Sequence, residues 1–246
     1  MKTTLKQLIT PAVLIFSLLI SLNANSSVTE ADGLSMKQKS MVAISSYTAQ
    51  GKIPELNQAL NEGLDAGLTI NEINEAIVQL YAYCGFPRSL NGINAFRKVL
   101  DERKAKGITD EQGKEIKMQS QDGDRYERGR KVLEELTGMP QSKPAPGFGE
   151  FSPRIDAFLK EHLFADIFES DVLSYHQREL VTNAALASMT GTGAQLGAHI
   201  HFGMNVGITE AELNDMFNVI EKTVGKNEAY NGREILKNVL KMRNSN

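Results

Sequence analysis

Leu173 to Gly232 reads LSYHQRELVTNAALASMTGTGAQLGAHIHFGMNVGITEAELNDMFNVIEKTVGKNEAYNG, and Leu34 to Gly92 reads LSMKQKSMVAISSYTAQGKIPELNQALNEGLDAGLTINEINEAIVQLYAYCGFPRSLNG. These are one helical cassette written twice. From Gly67 onward the copies align without a gap, about 140 positions apart: Gly67 meets Gly207, Thr69 meets Thr209, Glu72 meets Glu212, Gly85 meets Gly225 and Asn91 meets Asn231. Duplicated copies keep a shared skeleton and are free to diverge in chemistry. The first carries the only cysteine, Cys84, and all four histidines (His162, His176, His199, His201) lie in the second half of the chain.

Each copy opens with a capping box, Ser35 with Gln38 and Ser174 with Gln177, and a second box recurs as Thr69 with Glu72 and Thr209 with Glu212. In such a box the hydroxyl accepts from a free backbone N–H while the Gln or Glu reaches back to the cap. Gly67 and Gly207 suit the left-handed residue that ends the preceding helix. The spacing predicts helices over Met36 to Gln50 and Tyr175 to Met189. Middle helices follow, with Leu56, Leu60 and Leu64 on one stripe and a partner over Ala194 to Val206. Third helices then lead to fourth helices over Ser89 to Arg103 and Ala229 to Met242. Between the copies, the charged stretch Asp110 to Leu136 reads as helical, and Thr137 to Gly149 reads as an irregular Pro/Gly connection. Ser152-Pro153 reads as a cap and first turn of a helix with Ile155, Phe158, Leu159, Phe164 and Ile167 on its apolar face. No strand series is visible, so the class is all-α. The organisation expected is a leader over 1–26, a first repeat over 27–107, a connection over 108–150 and a second repeat over 151–246.

The N-terminus reads as a processing signal. Lys2 and Lys6 precede an apolar run from Pro11 to Leu22, too short to cross a bilayer comfortably, and Ala24-Asn25-Ser26 offers small residues for cleavage. Export to the periplasm or beyond is expected, with no membrane association after cleavage. An uncleaved anchor is the rival reading. Setting aside Lys2 and Lys6 moves the formal charge from −3 to about −5, which gives no electrostatic footprint for nucleic acid. One cysteine cannot form an internal disulfide. His201 is a poor metal partner for His199, because residues two apart on a helix point roughly 200° apart, so no metal site is expected.

These residues resemble the carboxymuconolactone decarboxylase-like family, which includes the AhpD-type alkylhydroperoxidases. In the first copy the resemblance rests on ELNQALNEGLDAGLTINEI and YAYCGFPRSLNGINAF. In the second it rests on FADIFESDVLSYHQRELVTNAAL and QLGAHIHFGMNVGITEAEL, with GRKVLEELTG as the lead-in to a cassette. The resemblance implies AhpD-like cassettes packed as one pseudo-symmetric unit, a homo-oligomeric ring of cassettes, and either of two chemistries. The peroxidase branch uses a C-x-x-C pair, with a Glu and a His that move protons. Here both thiols of that pair are missing and Cys84 has no resolving partner, so a peroxiredoxin-like role on a peroxide would rest on Cys84 and an external thiol. The blander reading of Cys84 is a small packed residue.

The decarboxylase branch implies cofactor-independent acid–base chemistry on a small organic acid or lactone, with the family's histidine retained as His199. A histidine is the natural group near neutral pH. Glu179, one helix earlier, would hold the imidazole, and Gln195 shares a helix face with His199. The counterparts in the first copy are Ala59 and Ser40, so that copy reads as silent by itself. What it offers is Tyr81, Tyr83, Arg88 and Asn91 around the GFPRSLNG turn, a Tyr–Arg cluster suited to a carboxylate. The family's third-helix histidine is replaced by Gln79. The expectation is a composite pocket, with His199 and Glu179 catalytic and Arg88, Tyr81, Tyr83, Asn91 and Gln195 binding substrate. The alternatives are a peroxidase using Cys84 and a non-catalytic binding or assembly protein of the cell envelope.

Overall fold

The computed structural model describes residues 33–117 and 123–245. The leader and cleavage region expected over 1–26 lie outside the described residues. The first cassette consists of α1 (Met36–Gln50), α2 (Ile53–Asp65), α3 (Ile70–Cys84) and α4 (Phe86–Ala105). The second consists of α8 (Tyr175–Ala187), α9 (Gly193–Asn205), α10 (Glu210–Thr223) and α11 (Lys226–Arg243). Between them lie α5 (Arg125–Thr137), the short α6 (Phe148–Phe151) and α7 (Pro153–Ala157), and a π-helical segment, Phe158–Ile167. No strand occurs among the described residues, and the chain is all-α.

All four capping boxes form, at Ser35, Thr69, Ser174 and Thr209. Gly67 and Gly207 turn the chain with φ of 89° and 100°, a region where a side chain would be strained. The boxes also join the cassettes across a pseudo-twofold. Glu72 accepts from its own cap at Thr69 (2.8 Å), pairs with Lys37 of its own copy, and accepts from Gln177 of the other copy (3.4 Å). Glu212 does the same with Thr209 (2.8 Å), His176 and Gln38 (3.1 Å).

The apolar core repeats that exchange. α1 and α8 pack on one another at the centre, so α8 is buried from Arg178 to Ala187 and neither helix shows a one-sided apolar stripe. Leu34 and Val42 of the first copy sit in the second cassette's core. Their counterparts Leu173 and Val181 sit in the first cassette's core. Each fully buried valine stabilises the join by roughly 1.5–3 kcal/mol. Equivalent ion pairs span it too: Arg178 with Glu75 (2.9 Å) and Lys39 with Asp215 (3.0 Å). The first pair is deeply buried and the second is partly exposed.

Three local expectations are corrected. The fourth helix of the first cassette begins at Phe86, not Ser89, because Gly85 (φ 84°) ends α3 and starts α4 at once, with Pro87 in the first turn. Among the described residues of the stretch from Asp110 to Leu136, helix is found only from Arg125 onward. Ahead of it, the carbonyls of Glu111 and Gln112 accept from the Ile70 and Asn71 N–H groups, so this segment satisfies the open end of α3 instead of coiling. The helix after Pro153 changes to π winding at Phe158. With i→i+5 bonding, residues spaced for 3.6 per turn drift apart in angle. Leu163, Phe164 and Ile167 reach the core, while Ile155 and Phe158 are exposed.

The π segment packs against α5 at very short range. A Cβ on Gly129 would sit 1.7 Å from the Lys160 carbonyl oxygen, so only glycine permits this approach. Lys160 is fully buried and fully satisfied by Asp156 (2.8 Å), the Tyr126 hydroxyl (2.8 Å) and the Ser142 carbonyl (2.9 Å). The α5–π hairpin carries its own apolar cluster, against which Tyr81, Tyr83 and Phe202 pack.

Candidate active site

α8 presents Glu179, α9 presents His199 and the last turn of α3 presents Tyr83. Glu179 is 0 % exposed and His199 is 8 % exposed. His199 Nδ1 lies 2.8 Å from Glu179 Oε2. Asn183 fixes the two helices at this point, its Nδ2 donating to the backbone carbonyls of Glu179 (2.8 Å) and His199 (3.0 Å). The Tyr83 ring meets the imidazole edge-on at a centroid distance of 5.4 Å, and Phe202 flanks it at 5.1 Å.

A carboxylate only accepts hydrogen bonds, so His199 Nδ1 carries a proton in this pair, and Nε2 is the ring atom left to exchange a proton with a substrate. Two more polar atoms belong to the cluster. Glu179 Oε1 is buried without a hydrogen-bond partner, and the Tyr83 hydroxyl, near Thr182, has no well-aligned partner either. Burial first, and the Glu179 charge second, push the Tyr83 hydroxyl upward, so it stays a protonated donor. Buried polar groups are nearly always paired, and unpaired ones gathered around one His–Glu contact mark a site rather than plain core.

Gln79 explains how α3 is held against α8. It is fully buried, its Nε2 donating to the Arg178 carbonyl (2.9 Å) and Thr182 Oγ1 (2.8 Å), while its Oε1 accepts from Arg178 (2.9 Å). The glutamine is a fixed brace beside Glu179.

The structure therefore brings His199, Glu179 and Tyr83 together. It does not gather the remaining expected residues around them. Tyr81 stacks on Phe86 (centroids 4.4 Å) and faces His162 (5.5 Å) in a separate groove. Arg88 and Asn91 are exposed at the start of α4, and Gln195 is exposed in the first turn of α9. None of these three makes a hydrogen bond or ion pair among the described residues. Ala59 and Ser40 confirm the asymmetry between copies, since Ala59 is plain core where His199 stands.

Cys84 is half-buried, and its thiol lies 3.1 Å from the Leu80 carbonyl oxygen, to which it donates. Burial pushes the thiol up to about 11, against a smaller opposing pull from Arg88. A neutral thiol of that kind is a poor nucleophile. His201 pairs with Arg243 (2.8 Å), and burial together with that charge lowers its pKa. Among the described residues no group of three or more His, Cys, Asp or Glu stands close enough to hold a metal ion, and no helix is long and apolar enough to cross a membrane.

Sequence reasoning missed one cluster. His162 and Asp166 are four apart and hydrogen-bonded (3.0 Å), with Arg125 donating to the same carboxylate (3.1 Å). The i, i+4 spacing was the available signal, but the groove wall opposite comes from the first copy and could not be read from spacing.

The model of the Carboxymuconolactone decarboxylase family matches residues 21–98 and 153–238, one match to each cassette. The chain belongs to this family, as a tandem two-cassette member. No curated protein matches the chain.

Proposed function

We propose that the protein is an acid–base enzyme acting without a cofactor on a small organic acid or lactone, by decarboxylation or isomerisation. The observation that carries this reading is the 2.8 Å contact between His199 Nδ1 and the fully buried Glu179 carboxylate. The carboxylate orients the ring and stabilises the imidazolium that forms when Nε2 takes a proton from carbon. The Tyr83 hydroxyl donates to the oxygen on which charge develops as electrons move into the conjugated carbonyl. When the imidazolium returns its proton to a different carbon the substrate is isomerised. When carbon dioxide leaves instead, the electron pair of the broken carbon–carbon bond is quenched by the Nε2 proton of an imidazolium that had taken it from solvent. The second cassette supplies the acid–base pair and the first supplies Tyr83, so one site per chain is expected.

The same proposal places the mature chain outside the cytoplasm, in a ring of cassettes, with light scattering as the check on assembly. Thiol chemistry is disfavoured by the upward shift of Cys84 and its bond to Leu80. A binding protein without turnover is the second reading. It is favoured by the exposure of Arg88, Asn91 and Gln195, and by the described grooves running past neighbours of His199 rather than His199 itself.

The test is a thermal-stabilisation screen of small carboxylic acids, lactones and quinones, followed by turnover of each stabiliser. Loss of turnover in His199→Ala with retention in Cys84→Ala supports the acid–base reading. The reverse pattern supports thiol chemistry, and stabilisation with no turnover of any compound supports the binding protein.

A further inference from the structure

A groove of about 540 Å³ runs between the α3–α4 turn and the π-helical segment, and His199 does not line it. That volume lies within the ordinary range of small-molecule sites. Tyr81, Phe86, Phe158 and Leu159 give it apolar, mostly aromatic walls, and two of these, Phe86 and Phe158, are more than half exposed. Large exposed aromatics lining one hollow are a cost the fold keeps only where something covers them.

The polar end of the groove is built. Arg125 donates through Nε (3.1 Å) and Nη2 to Asp166, and His162 Nδ1 lies 3.0 Å from the same carboxylate. Arg125 neutralises Asp166, and hydrogen bonds with both partners hold the Asp166 carboxyl below its ordinary range despite burial, so it stays an acceptor. Nδ1 of His162 therefore carries a proton, and Nε2, which has no partner among the described residues, is an acceptor in the neutral form of the ring. Tyr81, on the facing wall, adds a buried hydroxyl that also has none. The one further charge in the lining is the Glu161 carboxylate, which has no ion-pair partner among the described residues and repels an anion.

We propose that this groove binds a neutral, hydroxyl-bearing aromatic or alicyclic molecule. Its ring lies against Phe86 and Phe158, and its O–H donates to His162 Nε2. The polarity of the site excludes the carboxylate class proposed for His199, so the two sites take different ligands and stand independently.

The probes are 4-ethylphenol, its methyl ether 4-ethylanisole, and 4-ethylbenzoate, titrated by NMR into the full chain. The phenol is expected to bind about 5-fold more tightly than the ether, the ratio set by one net hydrogen bond, and more tightly than the benzoate. In His162→Phe the phenol and ether are expected to bind alike, and Phe158→Ala is expected to weaken both equally. Histidine 162 is half exposed, so its replacement leaves the fold intact. The proposal is overturned if phenol and ether bind the natural chain equally, if the preference survives in His162→Phe, if the benzoate binds tightest, or if no probe binds. Burial of the groove by a second copy, seen as probe affinity that falls with protein concentration, would overturn it as well.

Discussion

Replacing Glu75 by Gln is expected to be far more damaging than replacing its pseudo-symmetric counterpart Asp215 by Asn. Both carboxylates pair with a basic residue on the other cassette's opening helix, Glu75 with Arg178 and Asp215 with Lys39. They differ in solvent. The Arg178 and Glu75 side chains are 0 % and 8 % exposed, whereas Lys39 and Asp215 are 39 % and 26 % exposed. Removing one charge from the buried pair leaves a guanidinium in the core with only Gln79 and the Ser170 carbonyl as partners, at a cost of about 3–5 kcal/mol. The exposed pair is screened and worth about 0–1 kcal/mol. For a domain of this size that corresponds to a drop in Tm of roughly 6–20 °C for E75Q and no more than about 4 °C for D215N. Urea unfolding followed by circular dichroism measures both, and the double replacement Arg178→Met with Glu75→Leu is expected to recover much of the loss. If E75Q and D215N lie within about 1 kcal/mol of each other, the argument from burial is wrong.

Three further outcomes follow from the same structure. Alkylation of Cys84 by iodoacetamide is expected to run about 100-fold slower at pH 7 than that of a free thiol of ordinary pKa, since burial moves the thiol from 9.0 to about 11. Its rate is expected to climb about tenfold per pH unit up to about pH 10, and a plateau by pH 9 would contradict this. Burial of Asp156 opposes its ionisation, but hydrogen bonds from Lys160 and Tyr126 outweigh that and hold its pKa below the ordinary 3.8. Its contribution to stability is therefore complete above that ordinary value and is lost as pH falls through the lowered folded value. Acid unfolding curves of the natural chain and Asp156→Asn should differ least near pH 2 and most above pH 4; a constant difference would refute the linkage. Long-range ¹H–¹⁵N NMR is expected to show the His199 ring in its Nδ1–H form, and an Nε2–H tautomer would mean that Glu179 does not hold it.

Much of the fold was legible because capping and repetition act locally. Ser35, Thr69, Ser174 and Thr209 announce helix starts through their own side chains, and each was readable without knowledge of the packing. The π segment was not legible, since its winding depends on the close approach of Gly129 to Lys160 across the hairpin. Nor was the segment at Glu111 and Gln112, whose extended course is set by the open end of α3. In the site, Glu179 and His199 were readable as a pair because adjacent antiparallel helices bring such positions together. Tyr81 and Tyr83 were expected to act jointly, yet two residues apart on one helix they point roughly 200° apart. That argument separates His199 from His201, and it would have separated the tyrosines too.

Proton transfer at His199 is the claim on which the functional account rests, and solvent exchange reads it most directly. A small unsaturated γ-lactone is incubated with the full chain in D₂O, and deuterium entering its acidic carbon is followed by NMR. The natural chain and Cys84→Ser are expected to exchange at equal rates, with His199→Gln slower by about 10²–10⁴-fold, the span of general acid–base catalysis. Equal rates for His199→Gln and the natural chain, or loss of exchange in Cys84→Ser alone, would contradict the account.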